Sequence, residues 1–211
     1  MLYLKEGHKA LSAVIFDLGE VLFEFDPRRF CFEMGFDAET SERVIAVTVK
    51  NPVWVEVDRG TQTIEDLIAD AGRKEPLLRK EIRRFVETWP QHFHAIIENV
   101  ETFYRVKESG VKVYILSNIP VHVFEYAAAH NEFLHDFDGK ILSAACHLMK
   151  PGKEIFDLLI SQYGLDPSSS AFFDDIEANA EGARAAGLLG VHLPARGSIA
   201  DYLEFDNTEK A

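Results

Sequence analysis

The chain of 211 residues is 47% hydrophobic and 27% charged, which is enough apolar material for one large domain or a domain with an insertion. Its 22 Lys and Arg stand against 35 Asp and Glu, and a formal net charge of −13 argues against nucleic acid as a partner, because phosphate backbones are bound by basic surfaces. No apolar run approaches the ~20 residues of a membrane span. Cys31 and Cys146 are far apart in no metal-binding spacing, so we expect a soluble, cytoplasmic protein with reduced thiols and no membrane partner.

Five short apolar runs, each bounded by turn residues, predict buried β-strands. In chain order they span residues 13–16, 111–116, 140–142, 171–173 and 190–193. Helical patterns follow between the later runs, at residues 98–109, 154–163 and 176–186, and each stops at a glycine suited to a left-handed cap. Small residues along 176–186 predict that this helix packs very close to the sheet. The alternation indicates an open α/β fold with a parallel sheet covered on both faces.

The long interval between the first two strands breaks this alternation. Residues 27–90 contain several helical patterns and no convincing strand: residues 37–49, the segment TIEDLIADAG beginning near Thr61 or Thr63 and ending at Gly72, and the segment PLLRKEIRRFVETW. A crossover between neighbouring parallel strands needs only one helix. We therefore predict an inserted helical cap domain over residues 27–90, and a core domain formed by residues 1–26 and 91–211.

Polar residues stand at the ends of four of the predicted strands. They are Asp17, the pair Ser117 and Asn118, Lys150, and the pair Asp174 and Asp175. Each alone has an ordinary explanation as a cap or turn residue. Together they fall at one edge of one parallel sheet, where ligands of open α/β folds bind. Carboxylates that gather there repel one another unless a cation compensates, and hard oxygen ligands suit Mg²⁺ with a substrate phosphate.

Four motifs in this order, FDLGEVLF, LSN, KPGKEIF and FFDDIEANAEGA, resemble the haloacid dehalogenase (HAD) superfamily of phosphohydrolases over residues 12–195. The resemblance implies a Rossmann-like five-stranded parallel core, with the inserted helices as a type 1 cap. It further implies that Asp17 is the nucleophile of an aspartyl-phosphate intermediate. The roles implied for the other motif residues are phosphoryl binding by Ser117, Asn118 and the catalytic Lys150, Mg²⁺ binding by Asp17, Asp174, Asp175 and the Gly19 carbonyl, and orientation of the acid pair by Asn179.

One position departs from the family pattern. Members usually carry a second Asp two residues after the nucleophile, as general acid and base, and here that position is Gly19. Such catalysis typically contributes ~10²- to 10⁴-fold, so an enzyme lacking it can still turn over. The loss matters least for a leaving oxygen that is already stabilised. The first motif also resembles a bacterial subset that includes an α-D-glucose-1-phosphatase, so we expect a small phosphorylated metabolite such as glucose 1-phosphate.

Four residues are candidate substrate contacts. Glu20 could replace the missing acid if the chain turns sharply after Leu18, and is otherwise a solvated or capping residue. The segment WVEVDRGTQTIEDL resembles the part of the cap that approaches the active site, which implies contacts from Trp54, Asp58 and Arg59. Arg59 could equally be a surface cation paired with Asp58 or Glu56.

Two other functions and several structural questions stay open. A metal-independent 2-haloacid dehalogenase also lacks the second Asp, and a catalytically silent module could bind phosphometabolites without turnover. Either a monomer or a homodimer fits the sequence. Phenylalanines between residues 23 and 36 either pack the hinge of the cap or form an apolar dimer patch. We expect the last polar residues of DYLEFDNTEKA to be disordered.

Overall fold

The computed structural model describes residues 1–206, and the expectation for the last residues of the chain lies outside this range. The ten β-strands within the described part are β1 (Leu2–Leu4), β2 (Lys9–Ala10), β3 (Ala13–Phe16), β4 (Phe23–Glu24), β5 (His94–Ala95), β6 (Lys112–Ser117), β7 (Gly139–Leu142), β8 (Ser170–Asp174), β9 (Leu189–His192) and β10 (Leu203–Phe205). The ten α-helices of the same range are α1 (Pro27–Glu33), α2 (Ala38–Val47), α3 (Pro52–Arg59), α4 (Ile64–Lys74), α5 (Arg79–Thr88), α6 (Ile97–Glu108), α7 (Val121–His130), α8 (Ser143–Cys146), α9 (Lys153–Tyr163) and α10 (Glu177–Ala185).

The central sheet has five parallel strands in the order β7-β6-β3-β8-β9. The predicted α/β fold and its five-stranded sheet are therefore confirmed. Strand β3 lies in the middle, with Phe16 opposite Ile115 of β6 and Phe173 of β8. All four residues of β3 are buried because apolar side chains cover both faces of the sheet. Ser117 and Asp174 are the last residues of their strands rather than the first residues after them.

Two small antiparallel sheets had no counterpart among the predicted elements. Strands β10, β1 and β2 form one of them. The other pairs β4 with β5, so that Phe23 lies opposite Ala95 and Glu24 opposite His94. This second sheet joins the two ends of the helical stretch between β4 and β5. Phe23 and Phe30 are buried near it, whereas Phe32 on α1 is 77% exposed. The phenylalanines therefore pack mainly inside the fold.

The helical stretch contains α1 to α5, and no strand interrupts it between β4 and β5 in the described chain. Helix α4 begins at a capping box formed by Thr63 and Asp66, as one of the two predicted starts required. Its predicted end at Gly72 is wrong, since the helix continues to Lys74. Glu75 precedes Pro76, and a residue before proline is pushed out of the helical region, so the proline rather than the glycine ends the helix. No helix of residues 1–206 is long and apolar enough to cross a membrane.

Glycines follow three of the helices, and another glycine allows α10 to approach the sheet closely. Gly110, Gly164 and Gly187 follow α6, α9 and α10 with φ of 82°, 61° and 93°, which is the left-handed conformation expected from the sequence. A Cβ on Gly190 of β9 would overlap the backbone carbonyl of Ala180 on α10. Helix α10 is thus packed directly against the sheet, and this places its first residues beside the end of β8.

Candidate active site

A cavity of about 340 Å³ opens at the carboxyl ends of β3, β6 and β8, and we call it the strand-end cavity. The core lines it with Asp17, Ser117, Asn118, Lys150, Asp175 and Asn179. Residues from four separate segments therefore meet at one place, as the shared edge of a parallel sheet requires. Asp174 lies directly behind this lining and is fully buried.

A tight turn after β3 aims Asp17 into the cavity. The carbonyl oxygen of Leu18 accepts hydrogen bonds from the N–H groups of Leu22 and Phe23, at 2.9 and 2.8 Å. Glu20 takes a left-handed conformation, with φ of 55°, which reverses the chain within this turn. The extended run that ends at Phe16 thus stops at the carboxylate, and the chain leads away to β4.

Lys150 holds two buried carboxylates together. Its Nζ lies 2.9 Å from Asp17 Oδ1 and 2.6 Å from Asp174 Oδ2, and it also donates to the carbonyl oxygen of Leu116 at 2.9 Å. Burial by itself would lower the pKa of this ammonium, but the two carboxylates outweigh burial and raise the pKa above its ordinary value. The lysine is therefore a fixed positive charge beside Asp17.

The pKa of the Asp17 carboxyl is raised because the group is buried, and the Lys150 ammonium only partly offsets this effect. The negative charge of Asp174 raises it further. Asp17 Oδ1 accepts no hydrogen bond from the described residues. Lys150 Nζ lies close enough, at 2.9 Å, but its direction of approach is unsuitable for a hydrogen bond. A buried carboxylate oxygen without a hydrogen bond is costly unless a cation or a ligand meets it.

The two adjacent acids after β8 have different surroundings. Asp174 Oδ1 accepts from the Ile176 N–H and from Asn179 Nδ2, both at 2.9 Å, and Oδ2 accepts from Lys150. Asp175 faces the cavity, where burial and then the charges of Asp17 and Asp174 raise its pKa to about 7. Asp174 therefore has its oxygens satisfied by the protein, while Asp175 is free to meet a ligand.

These three acids are suitable ligands for a divalent cation. One carboxylate oxygen from each of Asp17, Asp174 and Asp175 lies within 4.8 Å of the others. Hard oxygen donors of this kind suit Mg²⁺, which keeps several waters and takes few carboxylates. Lys150 contributes one positive charge beside three carboxyl groups, and the raised pKa of Asp175 indicates that their negative charge is only partly compensated. The residues present thus fit a magnesium ion.

Ser117, the last residue of β6, and Asn118, which follows it, make different contacts. Ser117 is buried at the cavity, and its hydroxyl lowers the pKa of Asp17 slightly against the larger effect of burial. Asn118 uses its side chain on the backbone of Lys150: Nδ2 donates to the Lys150 carbonyl oxygen and Oδ1 accepts from the Lys150 N–H, both at 3.0 Å. The asparagine therefore fixes the lysine loop, a contact that the sequence motif did not suggest.

Position 19 leaves room that the family's usual acid would fill. No heavy atom of the described chain lies within 4 Å of a Cβ built on Gly19. The turn required for Glu20 to reach the site is present, but its Oε1 accepts from the Phe25 N–H at 2.5 Å and its Oε2 lies 3.5 Å from Arg196 Nε. Glu20 is 15% exposed in its side chain, so it is neither freely solvated nor unpartnered.

The helical stretch contributes Trp54 and Asp58 to the strand-end cavity. Arg59 lies outside the lining and pairs with Glu56 at 3.3 Å, so the structure matches its reading as a surface cation. Asp58 has a pKa raised to about 8, because burial disfavours its charged form more than a hydrogen bond from Trp54 favours it. A carboxyl on the helical stretch thus stays largely protonated near neutral pH beside the cavity.

An aromatic wall completes the cavity, and most of it was not identified from the sequence. It consists of Phe23, Phe25, Trp54, Trp89 and Phe93. Ring centroids within it are 5.4 Å apart for Trp54 and Trp89, and 5.0 Å apart for Trp89 and Phe93. The only sequence signal was the density of aromatics on both sides of the helical stretch. The wall makes the outer part of the cavity apolar, while the charged groups lie at the strand ends.

A family model described as haloacid dehalogenase-like hydrolase matches residues 11–187, which is most of the chain. The chain belongs to the haloacid dehalogenase-like hydrolases. The match spans all four motifs and the helical stretch between the first two. The resemblance noted in the sequence is therefore confirmed at the level of the family and of its hydrolase chemistry.

Two proteins with sequences similar to this chain are phosphatases. A sesquiterpene phosphatase of Aspergillus oryzae is 26% identical over 182 residues, covering 86% of this chain and 89% of that protein. A phosphatase of Mycobacterium tuberculosis is 25% identical over 205 residues, covering 91% of each.

Solved structures of the family share the fold. A HAD family enzyme of Bacteroides thetaiotaomicron in complex with magnesium has a TM-score of 0.73 at 20% identity, covering 92% of this chain and 98% of that chain. The L-2-haloacid dehalogenase of Xanthobacter autotrophicus has a TM-score of 0.64 at 17% identity, covering 84% and 75%. The Bacteroides enzyme has also been solved with inorganic phosphate bound, so an enzyme that binds phosphate and a dehalogenase both share this fold. The fold alone therefore does not separate the two kinds of reaction.

Proposed function

We propose that this HAD-like hydrolase is a Mg²⁺-dependent phosphatase that acts on a small phosphorylated compound through an aspartyl-phosphate intermediate. The observation that carries the proposal is the buried group formed by Asp17, Lys150 and Asp174, with Asp175 at the cavity. The two phosphatase relatives support the same class of reaction. The acid cluster disfavours a haloacid dehalogenase, because uncompensated acids would repel a carboxylate substrate.

In this proposal an oxygen of Asp17 attacks phosphorus, and the bond from phosphorus to the alcohol oxygen breaks. Lys150 offsets negative charge on both the nucleophile and the phosphoryl group. Ser117 and Asn118 bind phosphoryl oxygens, with Asn118 also holding the Lys150 loop. Water then attacks the aspartyl phosphate, which regenerates the Asp17 carboxylate and releases inorganic phosphate.

Asp17, Asp175 and the Gly19 carbonyl are the residues that would hold Mg²⁺, and Asp174 would act from behind them. When bound, the ion compensates the charge of the carboxylates and of the substrate phosphate. Asn179 keeps Asp174 oriented through its hydrogen bond to Oδ1. Asp17 Oδ1 lies beside the Lys150 ammonium but accepts no hydrogen bond from the described residues, which supports this assignment.

We further propose that residues 27–90 act as a cap over a core made of residues 1–26 and 91–211. Trp54 and Asp58 support this reading, since the helical stretch places them at the strand-end cavity. Closure of such a cap excludes water from the reaction and limits the size of the substrate. Both cysteines are free, which supports a cytoplasmic location. A monomer or a homodimer is compatible with the proposal.

For the substrate we infer a phosphate monoester with an apolar body. The aromatic wall offers apolar surface to the part of the substrate beyond the phosphate, and apolar burial there favours binding. A sugar such as that of glucose 1-phosphate needs hydrogen-bond partners for its hydroxyls. On the side of the cavity away from the phosphate, the polar lining residues described above are Asp58 and Glu20. Glu20 already has a hydrogen bond and an ion pair within the protein. The sesquiterpene phosphatase relative supports the apolar choice.

Hydrolysis of p-nitrophenyl phosphate with and without Mg²⁺, in the parent and in Asp17→Asn, tests the reaction. We expect Mg²⁺-dependent release of phosphate that Asp17→Asn abolishes. Activity with no phosphate ester would refute the proposal, and tight binding of a phosphate ester without turnover would identify a silent module. Halide release from 2-chloropropionate without metal would instead identify a dehalogenase.

A comparison of farnesyl phosphate with glucose 1-phosphate tests the substrate class. We expect a higher kcat/KM for farnesyl phosphate, and expect Phe25→Ala in the aromatic wall to raise its KM by about tenfold, because one buried ring is lost. Phe32→Ala, which removes an exposed ring on α1, is the matched control and leaves the KM unchanged. A preference for glucose 1-phosphate would overturn this inference and leave the phosphatase reaction standing.

A further inference from the structure

We propose that Asp58, on the helical stretch, is the general acid and base of the reaction, in place of the acid that Gly19 lacks. The proposal rests on the phosphatase function proposed above. It starts from two facts about the strand-end cavity: Asp58 lines it together with Asp17 and Lys150, and position 19 beside Asp17 has no side chain. Glu20 also lines the cavity, but its carboxylate accepts from the Phe25 N–H and lies near Arg196, so Asp58 is the better candidate for a proton donor.

Contacts between α3 and the core hold Asp58 in place. The hydroxyl of Ser143, the first residue of α8, donates to the Asp58 carbonyl oxygen, and the same hydroxyl oxygen accepts from the Ile119 N–H at 2.9 Å. Ile119 directly follows Asn118. The backbone of Asp58 is thus two hydrogen bonds away from the loop that ends β6, and the hydrogen bond from Trp54 constrains its side chain as well.

The residues after Asp58 are attached to the core as well. The Arg59 carbonyl oxygen lies 3.1 Å from His147 Nδ1, and Gly60 approaches α8 so closely that a Cβ there would lie 2.5 Å from the Ala144 carbonyl oxygen. Three consecutive residues at and just after the end of α3 therefore contact α8 and the residue that follows it. This attachment is much more specific than the packing of an exposed helix end.

The surroundings of Asp58 favour a carboxyl that exchanges protons near neutral pH. Burial raises its pKa to about 8, against a hydrogen bond from Trp54. The best general acids and bases have pKa values near the working pH.

Several charged or titratable residues surround Asp58. They are Glu56 and Arg59 on its own helix, His122 of α7 across a small apolar space, and Asp17, Lys150, Asp175 and Glu20 across the strand-end cavity. Helix α4 faces that space with Ile64 and Leu67.

The proton balance of the two steps closes with Asp58 alone. As Asp17 attacks phosphorus and the bond to the alcohol oxygen breaks, the Asp58 carboxyl gives its proton to that oxygen and the alcohol leaves neutral. Water then attacks the aspartyl phosphate, and the Asp58 carboxylate takes a proton from this water. The Asp17–phosphorus bond breaks, phosphate leaves, and both carboxyl groups return to their starting states.

The dependence on leaving group tests the acid role. For Asp58→Asn we expect kcat/KM to fall by about 10²- to 10⁴-fold with an alkyl phosphate, and by less than about tenfold with p-nitrophenyl phosphate, whose leaving group needs no proton. The alkaline limb of the alkyl-ester kcat/KM profile should vanish in the variant. Equal losses for both esters would show that Asp58 is structural and would overturn the proposal.

The base role has its own signature. In Asp58→Asn, p-nitrophenyl phosphate should give a burst of about one equivalent of p-nitrophenolate and then slow turnover, because the aspartyl phosphate forms but is hydrolysed slowly. A linear time course at the parent's rate would contradict the base role. If the parent itself hydrolysed no phosphate ester, that separate result would refute the proposed phosphatase function rather than the role of Asp58.

A second variant guards against simple misfolding. The empty space at Gly19 admits a side chain, so Gly19→Asp in the Asp58→Asn background should restore alkyl-ester turnover at least tenfold. Gly19→Ala in the same background adds a side chain without an acid and should restore nothing. Rescue by Gly19→Ala to the same extent would overturn the proposal, since no proton donor is then involved.

Discussion

Asn118 and Lys150 hold each other through two hydrogen bonds, one in each direction, between the amide side chain of the first and the backbone of the second. The pair ties the end of β6 to the loop before α9. The backbone of the lysine is held by Asn118, and its ammonium is held separately by Asp17 and Asp174, so both ends of the side chain are constrained. The asparagine is therefore a positioning residue for the lysine.

The first prediction concerns this pair. We expect Asn118→Ala to lower kcat/KM by about 10- to 100-fold, because it frees the Lys150 loop and also removes the proposed contact to a phosphoryl oxygen. Asn131→Ala removes a comparable bond, from its Nδ2 to the Ala127 carbonyl oxygen, outside the cavity. Steady-state kinetics of the two variants should separate them, and equal losses would show that the Lys150 loop needs no such support.

A second prediction follows from the position of Lys150 between two buried carboxylates. Lys150→Met should lower the free energy of unfolding by about 3–5 kcal/mol at neutral pH, because it leaves Asp17 and Asp174 without their cation. The loss should shrink at acid pH, where the carboxyls can take up protons instead. Urea unfolding at two pH values measures both effects.

The control for this prediction is Lys112→Met, which breaks an ion pair with Asp138 at 2.7 Å on the surface. Exposed pairs contribute little to stability, so this variant should unfold almost as the parent does. If both lysine variants lost the same stability, the buried group would not have the importance that its burial implies.

The sheet and the convergence of its end residues were predictable because continuous apolar runs bounded by turn residues leave a clear pattern. Strand β3 could be identified from AVIF followed by Asp17, and the glycines after α6, α9 and α10 marked the ends of those helices. Strands β4 and β5 have two residues each, which is too short for any periodicity. Their pairing depends on residues about seventy positions apart, so only the folded chain shows it.

The site was less predictable than the sheet for a similar reason. Motif residues such as Ser117 or Asp175 could be identified one by one, but the aromatic wall is assembled from β4, α3 and the turn after α5. The engagement of Asn118 with a backbone thirty-two residues away likewise leaves no local pattern. For Glu20 the sequence left open a replacement acid, a solvated residue or a capping residue, and its bond from the Phe25 N–H is of the capping kind, whereas its proximity to Arg196 left no pattern in the sequence.

A third prediction uses the pKa of Asp58, about 8 in the folded protein against an ordinary 3.8. Between these values the folded state holds a proton that the unfolded chain has lost. The stability that this proton contributes is therefore present at acid pH and is lost as the pH rises towards 8, by as much as about 1.4 kcal/mol per pH unit.

Asp58→Asn removes this dependence, so the stability of the variant should fall less than that of the parent between pH 5 and pH 8. Urea unfolding at both pH values measures the difference. Asp157→Asn, which changes an exposed carboxyl on α9, should follow the parent. If Asp58→Asn and the parent lost the same stability over this range, Asp58 would be ionised in the folded protein at neutral pH.

The last prediction compares two glycines with nearly the same backbone conformation. Gly60 and Gly35 have φ of 76° and 78°, so Gly→Ala at either position carries a similar strain of roughly 1 kcal/mol. Only at Gly60 does the new methyl group meet another part of the chain, namely the backbone of Ala144 on α8. Gly60→Ala must therefore push the end of α3 away from the core, and with it the Asp58 carboxyl, whereas the methyl group of Gly35→Ala enters open space.

We expect both variants to lose stability in urea unfolding and only Gly60→Ala to lose kcat/KM, most strongly for alkyl esters. If Gly35→Ala lowered kcat/KM as much, general strain rather than the attachment of α3 would explain the effect.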